Sequence, residues 1–203
     1  MNVVSLISMT WRQRNLRVVV VGLSAFGVGA LDSVIKGQGT GLLGALSEVI
    51  VPWLLLAFLA GAVASKRRYA FGAVVGVVAT MSALVGFYFV NCFIFSYWDT
   101  SWFGALQDQI AGGRMYFELG LFSGAICGAV GTWWKEHLSM VPVVVLGLAF
   151  VLEAVARALL TNRIFGYAHQ VGEIELFVGT MWVAFALVAT LALRHRQGLR
   201  RAT

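Results

Sequence analysis

The chain has 203 residues, of which 60% are hydrophobic and 12% are charged, and its formal net charge is +6. Soluble domains carry about 25% charged residues, so this composition excludes an ordinary soluble domain. The positive residues stand in short runs between apolar stretches, which is typical of membrane topology signals and argues against a nucleic-acid partner. The length fits one compact bundle, and we expect a single membrane domain over residues 1–203.

Six apolar stretches predict the fold, an all-α polytopic membrane helical bundle with six transmembrane helices. Residues 1–17 precede the first stretch and combine a short apolar run with Trp11 and three arginines. Their order differs from that of a signal peptide, so we expect an interfacial segment there. The six predicted spans cover residues 18–35, 51–65, 69–95, 115–134, 138–160 and 174–193.

Two connecting segments predict short interfacial helices in the outer loops. Residues 42–50 stand just before Pro52, which suits the first turn of a new helix. They form a short interfacial helix, a re-entrant piece or, in the alternative, the start of one tilted helix over 43–65 that is kinked at Pro52. The loop 96–113 combines tryptophans such as Trp102 with acidic residues, which is typical of a segment at headgroup level.

The distribution of basic residues predicts the orientation of the chain. These residues gather around positions 12–17, 66–68, 135 and 194–201. The positive-inside rule places those ends in the cytoplasm, so six spans leave both termini on the cytoplasmic side of the cell membrane. The acidic residues show the opposite bias, because all of them except Glu136 belong to the outer half.

Polar residues within or beside the apolar stretches predict a polar layer near the outer face. Glu153 and Arg157 are four residues apart, so they share one helix face in the better orientation for an ion pair. An ionised group that faces hydrocarbon costs ~3 kcal/mol or more, so that face must turn toward other helices or water. The layer consists of Asp32, Glu48, Asn91, Glu118, Glu153 and Arg157.

This layer predicts an outward-facing pocket in a non-enzymatic membrane protein that binds, or helps to transport, a small polar ligand. A structural interpretation stays open beside it. Glu153 and Arg157 then pair only with each other, Arg157 reaches the headgroups, and the remaining acids are solvated at the interface. Asn91 taken alone is typical of a hydrogen bond between helices.

Small residues repeated at four-residue intervals predict close packing between helices, because they let two helix backbones approach. They also motivate an alternative function, that of a structural or partner-binding membrane subunit. The residues are Gly120, Gly124, Gly128, Gly72, Gly76, Ala25 and Gly29.

The sequence contains no His or Cys cluster with the spacing of a metal site, and it predicts no metal, no cofactor and no catalytic residue. An intramembrane hydrolase is a remote alternative. Glu153-x-x-x-Arg157 followed by Phe165-x-x-x-His169 resembles fragments of the intramembrane CAAX-type proteases. That family has a doubled glutamate, a greater separation and a further His motif in a later span, and this chain has none of these features.

Trp53-Leu-Leu-Leu-Ala-Phe-Leu-Ala-Gly61 and Gly76…Leu84-Val-Gly-Phe-Tyr88 resemble an uncharacterised family of small six-span bacterial membrane proteins. The resemblance covers most of the chain and implies no activity. In size, span number and outward polar layer the chain is also similar to substrate-binding subunits of energy-coupling-factor vitamin transporters. That similarity implies a ligand near the outer face and a membrane partner subunit that contacts small residues of the first span, here Ala25-x-x-x-Gly29.

Overall fold

The computed structural model describes residues 3–37, 51–63, 69–95, 101–161 and 190–191, with their side chains except those of 3–14, 37, 51, 94–95, 150 and 153–161. Within these ranges every element is an α-helix, which confirms the all-α prediction for the described part of the chain. The helices are α1 (Val3–Gly37), α2 (Val51–Val63), α3 (Tyr69–Phe95), α4 (Trp102–Gly112), α5 (Arg114–His137) and α6 (Val141–Thr161).

Three of the described helices contain a stretch that is long and apolar enough to cross a membrane. These stretches are Asn15–Lys36, Tyr69–Phe93 and Arg114–His137, and α2 is a shorter apolar helix. The chain thus has helices suited to a membrane protein.

The helix boundaries agree with the predicted spans in part. The span predicted at 69–95 coincides with α3, whereas α1 begins at Val3 and runs on without a break into the first predicted span. Residues 3–17 are therefore continuous with that span and do not form a separate segment, because they contain no Gly or Pro that would end a helix. Residues 42–50 and, apart from 190–191, the span 174–193 lie outside the described residues.

Helix α3 is the central element and packs against α1, α2 and α5. It runs parallel to α1, since Gly22 contacts Val78 and Phe26 contacts Gly86 farther along both helices. It runs antiparallel to α5, because Gly120 lies beside Leu84 whereas Glu136 bonds Tyr69. It is also antiparallel to α2, with Trp53 beside Phe87 and Ala60 in one cluster with Val75.

Glycines bring α2, α3 and α5 into contact along their backbones. A Cβ atom added to Gly61 would strike the backbone of Gly128, and one added to Gly76 would strike the Gly124 carbonyl oxygen. The Thr132 hydroxyl donates to the Gly61 carbonyl oxygen at 2.9 Å and to the Gly128 carbonyl oxygen at 3.2 Å. Helix α5 therefore meets both α2 and α3 at glycine backbones, and van der Waals contact there holds the three helices together.

The same kind of contact joins α1 to α3. Ala25 is 1% exposed and packs in a cluster with Val75, Ala79 and Ala83. A Cβ atom on Gly29 would strike the Ala83 carbonyl oxygen. Gly72 and Gly120 lie against side chains of α5 and α3, so all the small residues singled out in the sequence lie at contacts between helices of the chain itself.

Helix α6 follows α5 through a tight turn. Leu138 adopts a left-handed backbone conformation with φ 46°, and its N–H donates to the Trp134 carbonyl oxygen at 2.7 Å, which closes the last turn of α5. Val143 and Leu146 then pack against Phe58 of α2. The turn thus returns the chain alongside the helices that it has just left.

Gly29 and Gly27 provide a matched pair that tests this packing on one helix. We expect Gly29→Ala to lower the free energy of unfolding by about 1–3 kcal/mol, because the new methyl group displaces the α3 backbone. Gly27 has open space around its Cβ position, so Gly27→Ala leaves stability unchanged or raises it, as Ala favours helix. The measurement is SDS-induced unfolding followed by circular dichroism. Equal effects of both substitutions would contradict the close contact.

Candidate functional site

Polar and aromatic side chains meet at one end of the bundle, which we call the α4 end. It comprises α4, the last turns of α1 and α3, and the first turns of α2 and α5. The opposite end, here the basic end, carries Arg17, Tyr69 and Lys135. Small residues make the contacts along the middle of α3, whereas aromatic rings make them at the α4 end.

Phe87 of α3 is the centre of a first aromatic group at this end. Its ring lies edge to face with Trp53 of α2, at 6.1 Å between centroids and 75° between planes, and with Tyr88, at 5.4 Å and 89°. Such edge-to-face pairs are favoured by the quadrupoles of the rings. The ammonium group of Lys36 on α1 lies 5.9 Å from the Phe87 centroid. Three helices thus contribute to one small group.

A second aromatic group joins α1, α3 and α4. Phe89 lies 5.9 Å from Phe26, 5.0 Å from Phe93 and 5.6 Å from Trp102 between ring centroids. Trp102 begins α4 and remains 42% exposed, so one face of the indole packs against the bundle while the other is free for the interface. This packing fixes the start of α4 against α3.

A hydrogen bond between side chains fixes the other half of α4. The Asn91 amide nitrogen donates to the Gln109 amide oxygen at 2.9 Å, and both residues are half-buried. The Ser101 hydroxyl caps α4 by accepting from the Gly104 N–H at 3.2 Å. At its far end Gly113 lies directly beside the Tyr88 hydroxyl. α4 is therefore attached to α3 along its whole length.

The residues predicted to bind a ligand have different surroundings. Glu118 pairs with Arg114, with 2.7 Å between the Arg114 Nε and Glu118 Oε1 atoms, and both side chains are exposed on one helix. Exposed pairs of this spacing contribute little free energy. Asn91 and Glu118 thus have separate partners. Asp32 is half-buried on α1, one turn before Lys36.

The side chains of the remaining candidate residues lie outside the part of the chain that the structure describes. Glu153 and Arg157 lie on α6, and their side chains are outside the described set. Glu48 lies in the segment 38–50, which is also outside the described residues. The Phe165–His169 fragment that resembles the protease motif also lies outside the described residues.

Ser33 adds a buried polar group close to the α4 end. It lies on α1 one turn after Gly29, which places it on the side of α1 that faces α3. Its side chain is fully buried, and its hydroxyl has no hydrogen-bond partner among the described residues. Burying a hydroxyl without a hydrogen-bond partner costs free energy of desolvation, so Ser33 destabilises this part of the contact between α1 and α3.

Sequence reasoning did not include Gln109, Lys36 or Phe87 in the site. Gln109 lies in an amphipathic segment with Trp102 and Ile110, and a polar residue on the same face as apolar ones was a usable signal. Lys36 stood four residues after Asp32, on the same helix face. Nothing in the sequence distinguished the Phe87 ring from its apolar neighbours.

The basic end holds a separate group of titratable side chains. The Tyr69 hydroxyl donates to Glu136 at 2.9 Å and lies 3.3 Å from the His137 Nε2 atom. This group joins the start of α3 to the end of α5. In the part of the chain that the structure describes, no three His, Cys, Asp or Glu side chains are placed to hold a metal ion.

The Asn91–Gln109 bond is testable by a double-mutant cycle with Asn91→Ala and Gln109→Ala. We expect a coupling free energy of about 0.5–1.5 kcal/mol, because the bond is half-buried and joins two helices. The control cycle on Arg114 and Glu118 should give about 0.5 kcal/mol or less. Both cycles are measured by SDS unfolding. A coupling at Asn91 and Gln109 no larger than the control would show that the bond does not secure α4.

No known protein family, no curated protein and no solved structure matches this chain. The resemblances drawn from its motifs therefore stay predictions.

Proposed function

We propose that the chain is a multi-pass integral membrane protein of the cell membrane, with six spans and both termini in the cytoplasm. Three helices long and apolar enough to span a membrane support this proposal. Successive long helices also alternate in direction, since α1 and α3 run one way and α2 and α5 the other. The basic runs of the sequence follow the same alternation, so the α4 end is the outer end.

We further propose that the outer end binds a small polar ligand and that the protein helps to transport it, without catalysing a reaction. One observation carries this proposal. Half-buried polar side chains from three helices, Asp32, Asn91 and Gln109, lie at the same end as the Phe87 ring group. Ligand sites combine apolar and aromatic walls with a few polar groups, which is the composition of this end.

The structure gives little support to the alternative of a partner-binding subunit. It was motivated by small-residue stripes, and those stripes already lie against other helices of the same chain. A second subunit would need a different surface. The hydrolase alternative gains no supporting observation, because His137 lies at the basic end and bonds with Tyr69 rather than with a carboxylate pair near the outer end.

The orientation is testable by labelling single cysteines in a background with Cys92→Ala and Cys127→Ala. We expect a membrane-impermeant maleimide to label Asp108→Cys on intact cells, because α4 belongs to the outer end. Arg67→Cys and Gln197→Cys should react only after the cells are permeabilised. Labelling of Gln197→Cys on intact cells would contradict a six-span chain with a cytoplasmic carboxyl terminus.

Ligand binding is testable by a thermal-shift screen of the purified full chain against amino acids, sugars, amines and small carboxylates. A ligand at about 100 times its dissociation constant stabilises the folded state by about 2.7 kcal/mol. We expect the shift to fall in Asn91→Ala and in Glu153→Gln and to persist in the control His137→Ala, which alters the basic end. Shifts that survive both site substitutions would contradict a ligand at the outer end.

A further inference from the structure

The Lys36 ammonium group of α1 lies over the Phe87 ring of α3 at the α4 end. The ammonium nitrogen lies 5.9 Å from the ring centroid, within the range over which a ring face attracts a cation. We infer that the ligand proposed for this end is a small organic cation, which binds on Phe87 where the Lys36 ammonium group now lies. The inference rests on the proposed ligand-binding function and specifies its chemistry.

The ring group has the composition of a cation site. Phe87 is supported by Trp53 and Tyr88, both edge to face with it, so its orientation is fixed by two helices. Phe87 and Trp53 are only half-buried, which leaves part of this group accessible to a solute. A ring face such as that of Phe87 attracts quaternary ammonium ions, because their positive charge meets the negative face of the ring.

The charge around the ring group also favours a cation. Asp32 is half-buried one helical turn before Lys36, so its carboxylate belongs to the same face of α1. In the proposed topology every acidic residue except Glu136 lies in the outer half, against only four basic ones, which are Lys36, Arg114, Arg157 and Arg163. A surface of this sign raises the local concentration of cations and repels anions.

An anion is a poorer fit to the same groups. Arg114 is already paired with Glu118 at 2.7 Å, and the Lys36 ammonium group lies 5.9 Å from the Phe87 ring centroid. A negative ligand would meet the face of Phe87, which carries partial negative charge. Lys36 therefore acts as a tethered competitor that a free cation must displace.

The experiment compares choline with 3,3-dimethyl-1-butanol, which has the same shape but a carbon atom in place of the charged nitrogen. Binding to the purified full chain in nanodiscs is measured by isothermal titration calorimetry at fixed ionic strength. We expect choline to bind at least tenfold more tightly than the neutral alcohol. Phe87→Leu should weaken choline binding by roughly two- to thirty-fold, because it keeps an apolar side chain and removes the ring. Phe122→Leu, which changes an exposed ring on α5, is its control.

Lys36→Gln gives the sharper test, because it alters an exposed side chain and should not disturb folding. We expect choline to bind roughly two- to thirty-fold more tightly to this variant, since the competing ammonium group is gone. Lys36→Arg keeps a competing cation and should bind like the original chain. Arg114→Gln removes one positive charge at the same end away from Phe87, so it measures the effect of net charge alone.

Each result decides the inference. Choline binding no tighter than that of the alcohol, or a Lys36→Gln variant that binds no better than Arg114→Gln, overturns the cation site. Titrations with acetate and with glucose separate the two proposals. If either binds in an Asn91-dependent manner while choline does not, the outer end binds a ligand of another class. If no ligand from the wider thermal-shift screen binds either, the proposed function fails together with the inference.

Discussion

The packing of the described bundle depends on backbone contact between α3 and its neighbours. In a lipid environment no hydrophobic effect drives one apolar helix against another, so close van der Waals contact must do so. Gly76 of α3 meets the backbone of Gly124 on α5, and Gly29 of α1 meets the Ala83 carbonyl group of α3. Helix α2 is held at Gly61 against Gly128 of α5, where the Thr132 hydroxyl adds a hydrogen bond. The positions of α1 and α5 follow from where α3 lacks large side chains.

That same pattern along α3 explains where the candidate site lies. Over Gly72 to Ala83 the residues facing α1, α2 and α5 are small, and the helices approach closely. From Phe87 onward, large rings of α3 contact rings of α1, α2 and α4. Asn91 lies at that end and bonds Gln109 there, whereas close backbone contact in the glycine-packed middle leaves no room for large side chains.

The sequence predicted the helices better than it predicted the site. Span 69–95 coincided with α3 because an unbroken apolar run of that length has few alternatives to a helix. Residues 3–17 were predicted as an interfacial segment before the first span, and α1 runs through them into that span without a break. The Asn91–Gln109 bond joins residues 18 apart in the chain across a loop, and no local pattern encodes such a pairing. The position of Glu118 along its predicted span could not show that Arg114 would be its partner.

The polar residues at the α4 end differ in how far they are exposed, and this determines the free-energy cost of their charge. A charge is costly in a membrane only where water cannot reach it, and the exposed Arg114–Glu118 pair escapes that cost. Asp32 and Asn91 are half-buried, and there each polar contact is stronger because less water screens it. The Lys36 ammonium group shows how the two kinds of side chain act together, since the face of the Phe87 ring attracts its charge. At this end, therefore, burial distinguishes Asp32 and Asn91 from the exposed Arg114–Glu118 pair.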